Sequence, residues 1–278
     1  MTEPSSSRPR IAPLPVVRQG FVTTAAGFDA LLRIGWMPAL LMTAAGALLE
    51  PQAPYIDAQG EIVTTPQAMF VFILLALLAT ALSTMVATTW QRMQLTPAAE
   101  PPRRWYLRLG RRELLYMLVS FFLLGLVFMG LATAPGAAQA FAAGQAVGGI
   151  VLLIGPVVAT IVVARSVMVL PAIALDRGAD IARAWRAAEG NTLRIAIALA
   201  LVTLPILAGE LLMLEVSAAV IGTEPGLLVE LVLRFVKALV SFVLAAPAVA
   251  VTGVLYVLLI DPDLGAALSR PANRYFAA

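Results

Sequence analysis

The chain has 278 residues, 60% of them hydrophobic and 13% charged, with a mean hydropathy of +0.91; a soluble domain has about 45–50% apolar and ~25% charged residues. It therefore reads as one membrane-embedded unit with no separate soluble domain. His and Cys are both absent, which excludes imidazole bases, His or thiolate metal ligands, Cys nucleophiles and disulfides, so the chain is read as non-enzymatic and without cofactors.

The expected fold is all-α, a polytopic membrane bundle of about six transmembrane helices with short amphipathic helices beside them. Residues 1–26 are read as a partly disordered cytoplasmic tail, 27–262 as the transmembrane domain and 263–278 as a second cytoplasmic tail. The opening residues, with Pro4, Ser5, Ser6, Ser7, Arg8 and Pro9, lack the apolar core and cleavage site of a signal peptide. In 16–33, Val17, Phe21, Ala25, Phe28 and Leu32 form an apolar stripe leading into the first span, weakened by Gly20 and Gly27.

Apolar runs of about 18 or more residues are read as spans, since ~20 residues cross a ~30 Å hydrocarbon core. They fall at about 28–49, 68–90, 113–134, 147–175, 195–221 and 238–260, with Pro135-Gly136 ending the third. The last apolar stretch, 227–260, is too long for one span. A break is expected there, leaving 227–237 as an interfacial helix in which Glu230 and Arg234 pair and Lys237 reaches Glu210.

The basic residues alternate between connections. Arg8, Arg10 and Arg18 precede the first span. Arg92, Arg103, Arg104, Arg108, Arg111 and Arg112 separate the second from the third, Arg177, Arg183, Arg186 and Arg194 the fourth from the fifth, and Arg270 and Arg274 follow the last. The other connections carry almost none. By the positive-inside rule both termini and the two Arg-bearing loops are expected on the cytoplasmic side. Residues 180–192 read as a second interfacial helix. Ile181, Ala184, Trp185 and Ala188 lie on one face and Asp180, Arg183, Arg186 and Glu189 on the other, with Trp185 at headgroup level.

Residues 164–194 contain Arg165, then Leu170-Pro171-Ala172, Asp176, Ala184-Trp185, Gly190-Asn191 and Arg194. This order resembles the membrane domain fused to some bacterial glycerophosphodiester phosphodiesterases and found in related six-helix inner-membrane proteins, with Asp176 standing where glutamate is more usual. The stretch Leu107–Leu114, and Val254-Leu255-Tyr256 followed by Asp261, resemble it too. The resemblance implies architecture and no catalytic residues.

Three groups of side chains are candidates for function. Arg165, within the fourth apolar run, reads as a ligand for an anion or lipid phosphate, or as a structural cation that snorkels or pairs with Glu113. Arg103, Arg104, Arg108, Arg111 and Arg112 read as an anionic-headgroup site or as topology determinants only. Glu210, Glu215, Glu230, Arg234 and Lys237 form an outer charge cluster, read as a structural clasp or an ion relay. Gly144, Gly148 and Gly155 mark a small-residue face in the fourth span. The expected partners are membrane phospholipids, with another membrane protein or complex as a further candidate and no nucleic acid. The role this suggests is an assembly, scaffold or envelope-lipid accessory factor. The alternative is a carrier for a small anionic or amphipathic solute, and a membrane enzyme, which would have to rely on Asp, Glu, Arg or Tyr, comes third.

Overall fold

The computed structural model describes residues 10–49, 55–56, 62–96, 109–221 and 226–268. The fold is all-α. Its helices are α1 (Pro13–Ala26), α2 (Phe28–Leu49), α3 (Pro66–Leu95), α4 (Arg111–Ala142), α5 (Ala146–Ser166), α6 (Val169–Ala174), α7 (Ile181–Ala188), α8 (Thr192–Ile221), α9 (Leu227–Leu259) and α10 (Pro262–Leu268). A two-residue antiparallel pair, β1 (Tyr55–Ile56) with β2 (Ile62–Val63), lies between α2 and α3. Six segments are long and apolar enough to cross a membrane, so this is a multi-pass membrane protein.

Local chemistry starts these helices. Pro13 and Pro66 occupy first-turn positions, where the missing N–H would be unsatisfied anyway. The Thr65 hydroxyl accepts from the Ala68 N–H at 3.0 Å. Glu113 in the first turn of α4 accepts from the Gly110 N–H at 2.9 Å. Within the spans, Thr43, Thr80, Thr88 and Thr89 donate to carbonyls four residues back, satisfying hydroxyls that have no water to turn to.

Two expected breaks are absent. Helix α4 runs through Pro135 to Ala142, and α9 is a continuous helix of 33 residues with Pro247 inside it. A proline removes only one backbone hydrogen bond, which a spanning helix tolerates. A continuous helix also keeps its remaining N–H groups paired, and overshooting the hydrocarbon core costs only fractions of a kcal/mol per Å. The reverse holds for the fourth apolar run. Pro171 has no N–H to give to the Val167 carbonyl, which accepts from Leu170 at 3.2 Å instead. A turn at Val167–Met168 therefore separates α5 from α6.

Helix α3 packs on α4 and α9, α4 on α5, α5 on α8 and α8 on α9, which closes a five-helix ring. Helix α2 packs on α3 and α9, and α1 on α8 and α9. At one end of the ring α6 meets α3, α4 and α9, while α7 lies on α5; we call this the closed end. The opposite hairpin end carries the α4–α5 turn, where Gly144 takes φ +74°, a conformation that favours glycine. The largest buried cluster joins Val16 and Val17 of α1, Met168 and Ile173, Ala184 and Ala188 of α7, Ile195 of α8, and Val251 and Leu255 of α9.

The buried side of α1 differs from the expected stripe. Val16, Val17, Gly20, Thr23 and Thr24 are buried, whereas Phe21 and Phe28 are exposed. Gly20 is the reason. A Cβ there would lie 2.6 Å from Val251 Cγ2 and 3.1 Å from the Pro247 carbonyl oxygen, so its lack of a side chain lets α1 lie against α9. The expected glycine face of the fourth span is also not the closest contact. A Cβ on Gly149 would meet the Phe141 ring at 2.8 Å, while Gly144 has nothing within 4 Å.

Candidate lipid-facing site at the closed end

Arg165 lies in the last turn of α5, beside the first residue of α8. Its Nε donates to Thr192 Oγ1 at 3.0 Å, and its guanidinium sits 5.3 Å from the centroid of the Trp185 ring, in range of a cation–π contact. Trp185 is itself fixed, because its indole N–H donates to Ser166 Oγ at 3.0 Å. The expected partner Glu113 is engaged elsewhere. It is 1% exposed and accepts from Arg112 Nε at 2.9 Å and Nη2 at 2.5 Å. Arg112 neighbours Glu113 in sequence, whereas Arg165, on the adjacent α5, is engaged by Thr192 and Trp185, so the Arg165–Glu113 pair does not form. Among the described residues no carboxylate pairs with Arg165, and its terminal amino groups have no protein acceptor. It faces a groove of about 480 Å³ between α5 and α8, lined by Pro156, Val157, Thr160, Ile161, Leu193 and Ala196. Leu193, Val157 and Ile161 are 73%, 55% and 39% exposed.

A polar clasp holds this end together. Asp176 follows α6 with φ +60°, an uncommon conformation outside glycine that Asp tolerates better than most residues. Its carboxylate accepts from Arg92 Nη1 at 2.7 Å and Arg112 Nη1 at 3.1 Å, linking the α6–α7 loop to α3 and α4. Partial burial opposes its ionisation, but the two arginines outweigh this and hold the carboxyl below its ordinary range. Next to it, Arg177 pairs with Asp261 and donates to the Tyr256 hydroxyl at 3.1 Å. Burial likewise opposes ionisation of Asp261, yet Arg177 and the Leu264 N–H bring its pKa down, while Asp261 raises that of Arg177. Arg183 donates to the Ile260 carbonyl at 3.1 Å. The α6–α7 segment is thus tied to α3, α4 and the end of α9.

The residues of the 164–194 motif take several places. Pro171 makes the α5–α6 turn, and Asp176 is the hub of the clasp. Trp185 supports Arg165. Gly190 has φ +79° between α7 and α8, and Asn191 Oδ1 accepts from the Ile11 N–H at 3.1 Å. Arg194 stands in the first turn of α8 and makes no ion pair among the described residues. Helix α7 covers only 181–188 of the expected 180–192, with Asp180 accepting from the Arg183 N–H at 2.9 Å. Its Ala184 and Ala188 are buried and Ile181 is 52% exposed. Of the arginine group, Arg103, Arg104 and Arg108 lie outside the described residues. Arg111 is exposed, and Arg112 belongs to the clasp.

Of Glu210, Glu215, Glu230, Arg234 and Lys237, Glu230 and Arg234 pair at 2.7 Å as expected. Lys237 and Glu210 form no ion pair among the described residues. Gly209 packs against Leu244, and Lys237 precedes Leu244 by two turns, so it stands about 10 Å beyond Glu210. Glu215 is exposed on α8.

Sequence reading missed the cavity inside the ring. It measures about 650 Å³ and is lined by Trp90, Tyr116, Leu123, Leu170, Phe242 and Glu210 among others. Only helix register creates it. The Arg92–Asp176 and Trp185–Ser166 contacts were missed too, since each joins segments separated in the chain by other elements. No group of three His, Cys, Asp or Glu side chains among the described residues could hold a metal. No protein-family model, curated protein or solved structure matches this chain.

Proposed function

We propose that this chain is a non-enzymatic accessory protein of the bacterial cytoplasmic membrane that holds anionic phospholipid at the inner leaflet, with both termini and the closed end on the cytoplasmic side. The observation that carries this reading is Arg165: a guanidinium braced by Trp185 and Thr192, with no acid paired to it among the described residues, at the end of an exposed apolar groove. Arginine suits phosphate oxygens through its fork of N–H donors, and the groove offers hydrocarbon a surface directly beside it. The positive-inside distribution supports the orientation. The basic loop, with Arg103, Arg104, Arg108 and Arg111, adds attraction of about 1 kcal/mol per cation near an anionic surface, weakening with salt. The resemblance of 164–194 to a phosphodiesterase-associated membrane domain is compatible with a lipid-linked role and adds no catalytic residue.

Native mass spectrometry of protein extracted in mild detergent tests this. Wild type is expected to retain phosphatidylglycerol, and Arg165→Gln to retain about fivefold less, the equivalent of roughly 1 kcal/mol. Replacing Arg103, Arg104, Arg108 and Arg111 together should lower retention further while the thermal midpoint stays unchanged. Equal retention in wild type and all variants would remove the lipid reading. The second reading, a carrier for a small anionic or amphipathic solute, rests on the cavity within the ring. Arg165-dependent solute flux in vesicles would put it first.

A further inference from the structure

The Arg165 groove and the cavity within the ring share one stripe of α8. Thr192, Ala196, Leu199, Thr203, Ile206 and Glu210 follow each other at steps of three or four residues, the spacing of a single helix face. Thr192 and Ala196 border the groove and the other four border the cavity. The two hollows are therefore successive stretches of one path along α8, which starts at the Arg165 guanidinium and ends at the first carboxylate on the stripe, Glu210.

Helix α5 separates them only near the closed end, where Val163 and Val167 line the cavity. Nearer the hairpin end, α4 and α8 line it without α5. There Leu124 and Val127 both line the cavity and are 48% and 40% exposed, and Thr203 is exposed too. The cavity thus has an open side among membrane-spanning residues, where the surroundings are hydrocarbon tails. Its lining is mostly apolar, and several of its hydroxyls are already committed. Thr80 donates to the Ala76 carbonyl, Thr203 to Leu199 and Thr252 to Val249. Such a wall suits a hydrocarbon chain better than a polar solute, and about 650 Å³ falls within the usual range of ligand sites.

We infer that one acyl chain of the phospholipid whose headgroup sits on Arg165 follows the α5–α8 groove and enters the ring between α4 and α8. This rests on the reading of Arg165 as a headgroup site. The protein would then hold a single lipid by both ends, with its phosphate at the closed end and one tail inside the bundle.

Phosphatidylglycerol with a diazirine midway along one acyl chain tests this in vesicles containing the full chain. After photolysis, adducts are mapped by mass spectrometry. Adducts are expected on Leu123 and Thr252, which line the cavity and are each 6% exposed, so that a chain inside the ring can touch them, as well as on lipid-facing Phe121 and Phe128. Arg165→Gln should lower the first pair about fivefold and leave the second unchanged. Thr203→Phe, placed at the open side with Arg165 intact, should abolish the buried adducts while phosphatidylglycerol is still retained. Wild-type adducts confined to Phe121 and Phe128 overturn the inference. So do buried adducts that Arg165→Gln leaves unchanged, since the chain inside would then not belong to the lipid on Arg165. Retention that falls in Arg165→Gln with no buried adducts removes only the threaded chain, whereas retention unaffected by Arg165→Gln removes the headgroup reading beneath it.

Discussion

The two ends of the bundle are built differently. At the closed end, Trp90, Met168, Ala188, Ile195 and Leu255 are completely enclosed, and arginines from α3, α4 and the α6–α7 loop meet Asp176, Glu113 and Asp261. Toward the hairpin end, Ile154 of α5 and Leu204, Leu211 and Leu212 of α8 are each more than half exposed. Along the spans, 56% of the most apolar window of α9 is buried but only 11% of that of the α5–α6 segment, so α9 acts as the central post and α5 as an outrigger. In a bilayer the hydrophobic effect does not pull helices together, because lipid tails are as apolar as leucine. Packing is then set by close-approach points such as Gly20 on α9 and by polar contacts that cannot be left open. Both are concentrated at the closed end, and the far half can separate enough to leave the cavity and its open side.

If the closed end carries the stability, its buried ion pair should matter most. Glu113→Ala leaves Arg112 without its enclosed partner and the Gly110 N–H without its acceptor. The expected loss is about 3 kcal/mol, read as a lower midpoint of thermal or denaturant unfolding in detergent. A variant as stable as wild type would show that the clasp does not hold the bundle.

A pair of glycines sharpens the same contrast at smaller size. Gly20→Ala forces a methyl against Val251 and the Pro247 carbonyl, with an expected cost of about 1–3 kcal/mol. Gly125→Ala on α4, where nothing lies within 4 Å, should be neutral or stabilise by up to about 1 kcal/mol through helix propensity. Equal destabilisation by both would mean that packing is uniform along the bundle.

The smallest effect is expected from pH. Asp176 and Asp261 have lowered pKa values, so their pairing stabilises the protein fully above the unfolded carboxyl pKa of about 3.9. It is lost as pH falls through the lower folded values. Asp176 is more than half exposed, which keeps its share within about 1 kcal/mol. Unfolding midpoints followed from pH 6 down to pH 3 should therefore fall less steeply in Asp176→Asn than in wild type. Parallel curves would remove Asp176 from the account of acid sensitivity.

Much of the architecture was legible in the residues because it depends on local patterns. Hydropathy over about 20 residues marks a span wherever the span later packs. Glu230 and Arg234 meet because four residues make about one turn of the same helix. Where the local reading failed, a neighbouring helix had intervened. Gly20 was read as a weakness in a stripe, yet it is the residue that lets α1 lie on α9. Pro135 and Pro171 are the same residue type with opposite outcomes. Helix α4 runs through the first, while at the second the chain turns from α5 into α6, which packs on α3, α4 and α9.

The sequence by itself determined the membrane class, the six spans and the helical fold, since the length and hydropathy that encode them are properties of contiguous residues. The tertiary structure alone decided which acid meets which cation at the closed end. Glu113 takes Arg112 and Asp176 takes Arg92 and Arg112, while Arg165 is left with Trp185 and Thr192. It also created the cavity along α8. Both outcomes depend on the register between helices, which contacts such as Gly209 on Leu244 and Gly20 on Val251 set to within an ångström and which no run of residues along one helix encodes.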